Sequence, residues 1–277
     1  MKNILVTGSD GFIGREVCRQ LTLSGMIPRC FTRNDDVCDR EKVRVTVAKS
    51  DGVINLAAIL PQANIFGLEY ETASVNIIGA INVLDAALEA GVPMVQIANG
   101  NEGQKNPYAI TKQATTELCL ARAHHYQQEV NVVMAFHVYG PGQEMSQPYG
   151  PSNAPKIIPS FIARALTGED IQIMGKGSQL IDLVYVEDVA RVVVNALFMP
   201  YGRKIDAGTG LATSVSFVAK TIIDACNSAS KIVHIAGRMG EPPDATVVAT
   251  QPEWLNPWPY KLTETIDWYR HALARAA

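Results

Sequence analysis

The stretch "VTGSDGFIG", residues 6 to 14, sets Gly8, Gly11 and Gly14 between a short apolar run and a helically spaced one. The run "NILVTG" reads as a buried strand, and "FIGREVCRQLTLSG" has apolar residues at helical spacing and a terminal glycine. A chain passing from strand to helix here must turn tightly, approach a bound pyrophosphate and let helix pack on strand; only glycine does all three at low cost. The helix start supplies free N–H groups and the positive end of a dipole. Three glycines at this spacing are weak evidence alone. Their place between strand and helix makes Gly8, Ser9, Asp10, Gly11, Phe12, Ile13 and Gly14 a candidate dinucleotide-phosphate loop.

Outward from this loop, short apolar runs alternate with helical patterns. "PRCFT" is a second strand, with Pro28 marking its start or a sheet edge. "DGVINLAA", "VPMVQIA" and "VNVVMAFHVYG" are further strands, and "YETASVNIIGAINVLDAALEAG" and "PYAITKQATTELCLARAHHYQQE" are long helices. This alternation argues for an α/β fold with a parallel sheet covered on both faces. From residue 141 the pattern changes, and "GPGQEMSQPYGPSNAP" is a Gly- and Pro-rich loop long enough to be functional. Helices at "KIIPSFIARALTG", "YVEDVARVVVNALF" and "YKLTETIDWYRHALARA" follow, with a strand at "DIQIMG".

The 277 residues are 47% hydrophobic and 18% charged, an ordinary globular balance. A net charge of -3 gives no basic footprint, so nucleic acid is not an expected partner. Cys18, Cys30, Cys38, Cys119 and Cys226 are scattered without a C-x-x-C pair, which argues against a disulfide framework or a zinc site; no metal is expected. With no secretory h-region and no apolar run of about 18 residues, a cytoplasmic protein without membrane association is expected.

The end of the second strand usually reads the adenosine ribose, with an acid for NAD and an Arg for NADP. Thr32 and Arg33 suit a 2′-phosphate, whereas Asp35 and Asp36 would reverse the preference if the strand ran longer; NADP is favoured over NAD. Further along, Tyr108 and Lys112 share one face of a helix. An ammonium beside a phenol favours phenolate and lowers a pKa that starts at about 10. Such a tyrosine exchanges a proton with an alcohol or ketone while hydride moves to or from a nicotinamide.

These motifs, in this order, resemble the extended short-chain dehydrogenase/reductase family, in particular its sugar-nucleotide epimerase and dehydratase branch. "TGSDGFIG" is similar to that family's TGxxGxxG, "DVCD" (Asp36, Val37, Cys38, Asp39) to its adenine-side acidic motif, and "NLAA" (Asn55, Leu56, Ala57, Ala58) to its cofactor-lining strand. "SVNIIGAINVLDAA" matches the helix carrying a characteristic Asn, here Asn76; "PYAITK" matches the catalytic helix, and "HVYGPGQ" the turn opening the substrate region, with His137 and Val138 beside the cofactor. "GKGSQLIDLVYVEDVA", "GRMGEP" and "TIDWYR" resemble later substrate-side and C-terminal motifs.

The resemblance implies a Rossmann-type doubly wound parallel sheet with a smaller C-terminal substrate domain. Residues 1–140 would form the NAD(P)-binding domain, with 181–208 returning to it; 141–180 and 209–277 would bind substrate. It also implies a nucleotide-sugar substrate and a homodimer built on two long helices. Tyr108 would be the acid/base and Lys112 the ribose anchor and pKa modulator.

Three departures fall on the substrate side. The Ser or Thr that bonds the reacting oxygen is missing; "QIANGNEG" offers Asn99 and Asn101, whose amides donate hydrogen bonds but do not relay protons. Thr111 is expected to face elsewhere. The Arg that precedes Asp in relatives, and contacts the nucleotide diphosphate, is Ile181, leaving Lys176 and Arg238 as candidate diphosphate cations. His137 replaces an Asn and is either a substrate ligand or a backbone-satisfied partly buried residue. Glu102 is the one nearby acid for a dehydratase role, which ranks dehydration below oxidation, reduction or epimerisation. The expected activity is an NAD(P)-dependent nucleotide-sugar epimerase or related oxidoreductase. The alternatives are a ketoreductase on a non-nucleotide substrate, suggested by Ile181, and a catalytically decayed NAD(P)-binding sensor.

Overall fold

Ile4, Leu5 and Val6 are all buried because the strand they form is covered on both sides. In the computed structural model, which describes residues 1–60, 67–150, 155–237, 246–250 and 255–276, this strand is β1 (Asn3–Thr7). It is followed by α1 (Phe12–Leu23), β2 (Ile27–Phe31), α2 (Arg40–Val47) and β3 (Gly52–Asn55). A helical stretch runs from α3 (Glu69–Ala73) through a π-helical turn (Ser74–Gly79) into α4 (Ala80–Ala90), which Gly91 closes with φ +63°. Then come β4 (Met94–Asn99), α5 (Pro107–Tyr126), β5 (Val130–Ala135) and β6 (His137–Tyr139). Beyond the loop lie α6 (Ile157–Thr167), β7 (Ile171–Met174), β8 (Leu180–Ile181), β9 (Leu183–Tyr185), α7 (Val186–Ala196) and β10 (Lys204–Ala207). The chain continues with β11 (Thr213–Ser214), α8 (Val215–Cys226), β12 (Ile232–Ile235), β13 (Thr246–Val247) and α9 (Leu262–Ala276).

Six strands form one parallel sheet in the order β10-β5-β4-β3-β1-β2. This is the doubly wound Rossmann-type sheet expected from the sequence. Ile4 and Val6 point to one face, packed with Val17 and Leu21 of α1 and with the valines of α7. Leu5 points to the other, with Val43 and Val47 of α2, Val83 and Leu84 of α4 and Cys119 of α5. Strand order reverses beside β1, whose neighbours are β2 and β3. The crevice for a ligand therefore opens at the carboxyl end of β1, where the glycine loop lies.

A separate apolar core joins α6, α8 and α9 to β7, β8 and β9 through Phe161, Ile162, Val218, Ile222, Ile266 and Tyr269. Small sheets complete this region: β11-β8-β13, β12-β7 and β6-β9. The stretch Glu69–Ala90 has the length and hydropathy of a membrane span, but it packs beside α2 and α5 with Val83, Leu84, Ala86 and Ala87 in the core.

One strand expectation needs correction. "VNVVMAFHVYG" is two strands in different sheets. Val138 N donates back to Phe136 O at 3.0 Å, and His137 N to Asp182 O at 2.9 Å, so the chain bends at Phe136 and β6 leaves β5 to pair with β9. That bend aims residues 137 and 138 across the crevice.

Candidate active site

The glycine loop is shaped by backbone sterics. Gly8 lies in the left-handed region at φ +64°, where a side chain would also press on the Leu56–Ala57 peptide. A Cβ on Gly14 would lie 2.1 Å from Gly8 O, so the first turn of α1 can close on the loop only without a side chain there. Gly11 N donates to Gly8 O at 3.0 Å and is the N-cap of α1, with no side-chain cap and no acid in the first turn. The uncapped N–H groups of α1 and the buried Ser9 hydroxyl, which has no partner among the described residues, fit an oxyanion of a dinucleotide.

Other segments are tied to this loop. Thr7 Oγ1 accepts from Leu56 N and Ala57 N at 3.2 and 3.1 Å, which presses "NLAA" up to Gly8; Ala58 follows directly. Ser9 N donates to Phe31 O at 3.3 Å, bringing the end of β2 alongside. There Arg33 donates to Asp10 through N at 3.1 Å and Nε at 2.6 Å. Burial acts to raise the Asp10 carboxyl, but the Arg33 bonds outweigh it and hold the group below its ordinary range. Asp35 Oδ2 accepts from Thr32 N at 2.9 Å while Oδ1 pairs with Lys42 at 2.6 Å; Asp36 Oδ1 accepts from Cys38 N at 2.8 Å, beside Val37. Both acids are thus engaged in local turns.

Asn76, buried on the π-helical turn, grips Ile59 at both its N–H and its carbonyl and donates to Thr111 Oγ1 at 3.0 Å. Thr111 in turn donates to Tyr108 O at 2.9 Å, so its hydroxyl faces the helix interior and not the reacting groups.

A cavity of about 370 Å³ opens between the sheet and the second core. Tyr108, Asn99, Asn101, His137 and Val138 line one side; Ile181, Leu183, Val215 and Val247 give it an apolar wall. Asn99 is consumed by its own loop, because Oδ1 accepts from Asn101 N and Nδ2 donates to Asn101 O, both at 3.1 Å.

The electrostatics of the pair at 108 and 112 differ from the sequence expectation. Lys112 is 3% exposed, and its Nζ donates to Ile97 O at 3.1 Å. Burial pushes its pKa down to about 8, with Cys119 opposing, and burial pushes the Tyr108 phenol up to about 12. The four-residue spacing does place both on one side of α5. The ammonium, however, bonds a β4 carbonyl, and burial outweighs any lowering of the phenol.

His137 is also held neutral: burial lowers it to about 4 against the pull of Asp182, and its buried Nδ1 has no partner among the described residues. Lys176 lies exposed in the turn after β7, off the cavity, so the expected diphosphate contact is not placed there. Arg238 lies outside the described residues. Glu102 is exposed and paired with Lys204 at 2.6 Å.

Pattern reading singled out neither Asp182 nor Lys156. Asp182 is fully buried and accepts from Thr209 N, Gly210 N and Ala249 N at 3.0, 2.9 and 3.1 Å, pinning three segments together; "ID" gave no sign of this. Lys156 lines the cavity; its only sequence signal is a cation directly before the apolar helix α6. Among the described residues, no group of three or more His, Cys, Asp or Glu lies at metal-binding distance.

Residues 4–207 match the model of the "NAD dependent epimerase/dehydratase family". UDP-N-acetyl-alpha-D-glucosaminuronate decarboxylase of Bacillus cytotoxicus is 28% identical over 97% of this chain and 98% of its own length. Among solved structures, the UDP-glucose 4-epimerase of Thermus thermophilus in complex with NAD superposes with a TM-score of 0.80 at 22% identity, over 97% of this chain and 99% of that one. An epimerase of Methanothermobacter thermautotrophicus gives 0.84 at 21%, over 100% and 95%. At these identities the structural likeness speaks for the fold.

Proposed function

Because this chain belongs to the NAD dependent epimerase/dehydratase family, we propose that it is an NAD(P)-dependent enzyme of nucleotide sugars, with Tyr108 as acid/base. The observation that carries the reading is one cavity holding Tyr108 and Asn101, on a fold whose glycine loop is shaped for a dinucleotide. When bound, the nicotinamide supplies hydride exchange at a sugar carbon. The loop from Gly8 to Gly14, with the uncapped start of α1, would hold the pyrophosphate, and residues 32–37 and 56–58 the adenosine side. Tyr108 would pass its phenolic proton to the reacting oxygen or take one from it. Asn101, whose side chain makes no hydrogen bond among the described residues, would donate to that oxygen in place of the missing hydroxyl. Lys112 would contact the ribose, and His137 would meet substrate or cofactor across the bend at Phe136.

The nucleotide-sugar reading is supported by relatives that carry UDP-sugar names. A panel of UDP-, dTDP- and GDP-sugars, followed by nicotinamide absorbance and by product epimer, tests it; silence across the panel would reject it. The apolar wall at Ile181 favours a second reading, a ketoreductase on a non-nucleotide ketone. Reduction of simple ketones with no effect of added UDP, dTDP or GDP would favour that alternative.

We read the cofactor as NADP. Asp10 takes Arg33 through N and Nε, which leaves its terminal guanidinium nitrogens for a 2′-phosphate, while Asp35 is occupied by Thr32 and Lys42. Tighter binding of NADH than NADPH would overturn this. Exposed Tyr70, Ile78, Ile110 and Leu118 on the two long helical stretches support a homodimer, which sedimentation would test. We place the enzyme in the cytoplasm.

A further inference from the structure

The dinucleotide half of the molecule carries a pair of thiols that the proposed chemistry does not use. No C-x-x-C motif announces the pair; the fold assembles it. Cys30 lies on β2, the edge strand of the parallel sheet, in register with Val6 of β1. Successive strand residues point to opposite faces. Phe31 enters the core shared with α2 and α4, and Val6 the core shared with α1, so Cys30 projects to the α1 side. Cys18 stands on α1, next to the buried Val17, and packs against the same core. There its thiol meets that of Cys30: burial first, then the neighbouring thiol, push Cys18 up to about 12.

The two thiols differ in access. The edge position of β2 leaves Cys30 exposed, while Cys18 is half-buried. Buried, a cysteine serves as a small apolar group; exposed, it is distinguished by its reactivity. The other three cysteines stand apart from this pair. Cys38 Sγ donates to Ser74 O at 3.3 Å, Cys119 is fully buried on α5, and Cys226 packs in the second core.

Position ties the pair to the glycine loop. Phe31, next to Cys30, accepts from Ser9 N at 3.3 Å through its carbonyl, and Arg33 holds Asp10 through N and Nε. Cys18 belongs to the helix whose uncapped start faces the pyrophosphate site. A covalent bond is shorter than a contact between thiols, so joining the two draws the edge strand toward α1 and shifts these anchors against the loop.

We propose that Cys18 and Cys30 form a reversible thiol–disulfide site whose closure weakens dinucleotide binding. The oxidant is a low-molecular-weight disulfide. Cys30 sulfur, having lost its proton, attacks one sulfur of that disulfide, forming a mixed disulfide and releasing one thiolate. Cys18 then gives up its proton, attacks the Cys30 sulfur and expels the second thiolate. The pair loses two electrons and two protons, and the oxidant gains both to become two thiols; excess thiol runs the exchange backward. The effect on affinity rests on the dinucleotide reading above, whereas the disulfide itself does not.

Wild type, Cys18→Ala and Cys30→Ser, each reduced, desalted and incubated with oxidised glutathione, test the site. Wild type should lose two of its five free thiols, and peptide mass mapping should find Cys18 joined to Cys30. Cys18→Ala should instead retain glutathione on Cys30, because no second thiol resolves the mixed disulfide. NADPH affinity, followed by fluorescence, should fall about fivefold or more in oxidised wild type, return with dithiothreitol, and stay unchanged in Cys30→Ser. Wild type that keeps all its thiols, holds a stable glutathione adduct on Cys30 or joins another pair overturns the proposal. A Cys18–Cys30 disulfide that leaves NADPH affinity undiminished overturns it too. Reduced wild type that binds neither NADPH nor NADH overturns the dinucleotide reading, and the effect on affinity with it.

Discussion

In the loop after β1 the backbone sets the shape, whereas across the cavity the lining comes from side chains of distant segments. The loop is tied to its neighbours: Thr7 holds Leu56 and Ala57, Arg33 holds Asp10, and Gly14 leaves no room for a Cβ. Among the described residues, the cavity carries buried atoms without a hydrogen-bond partner: His137 Nδ1, Gln143 Oε1 and Gln179 Oε1. A native interior normally satisfies such groups, so their concentration in one cavity is what a substrate would complete. The contrast separates a half that tolerates no change in shape from a half whose chemistry is open to change.

The sharpest way to break that contrast is Tyr108→Phe. Turnover should fall by about a thousandfold while NADPH affinity, measured by fluorescence, stays nearly unchanged. Retained turnover would show that the cavity's chemistry lies elsewhere. In the other half, Gly14→Ala should act in the opposite sense. A Cβ only 2.1 Å from Gly8 O forces the loop away from α1, so cofactor affinity should collapse and stability drop by about 3 kcal/mol or more. Unaltered NADPH binding in that variant would refute the steric account of the loop.

The same division explains what was legible in the sequence. The glycine loop, the sheet strands and the helix bearing Tyr108 and Lys112 are local patterns, readable because turn, strand and helix each impose their own spacing. The four-residue β10 and the eight-residue, charge-rich α2 left too short a period to read. The break at Phe136 follows from a pairing with β9, about 45 residues on, that no local pattern encodes. Sequence spacing correctly put Tyr108 and Lys112 on one side of α5 but not the direction of their titration, because burial depends on what packs above the helix. Nearness to Ile181 along the chain likewise says little about which cation lines the cavity: Lys156 does, and Lys176 does not.

Lys112 sits between the two halves and offers a pH test. Its pKa is about 8 in the folded chain and about 10.4 when unfolded, so between those values the unfolded chain binds the extra proton and stability rises with pH. Denaturant unfolding should show wild type gaining on the order of 2 to 3 kcal/mol over Lys112→Met from pH 7 to 10.5. A flat difference would mean that the ammonium is solvated.

The smallest expected effect separates the two asparagines. Both Asn99 amide atoms bond the Asn101 backbone, so Asn99→Ala should loosen the loop and cost about 1 kcal/mol of stability. Asn101→Ala should leave stability within about 0.5 kcal/mol but lower kcat about tenfold at similar KM, since the lost donor acts on an oxygen whose charge grows in the transition state. If Asn99→Ala carries the kcat loss and Asn101→Ala does not, the two roles are exchanged, and the loop is rigid for a reason other than presenting Asn101.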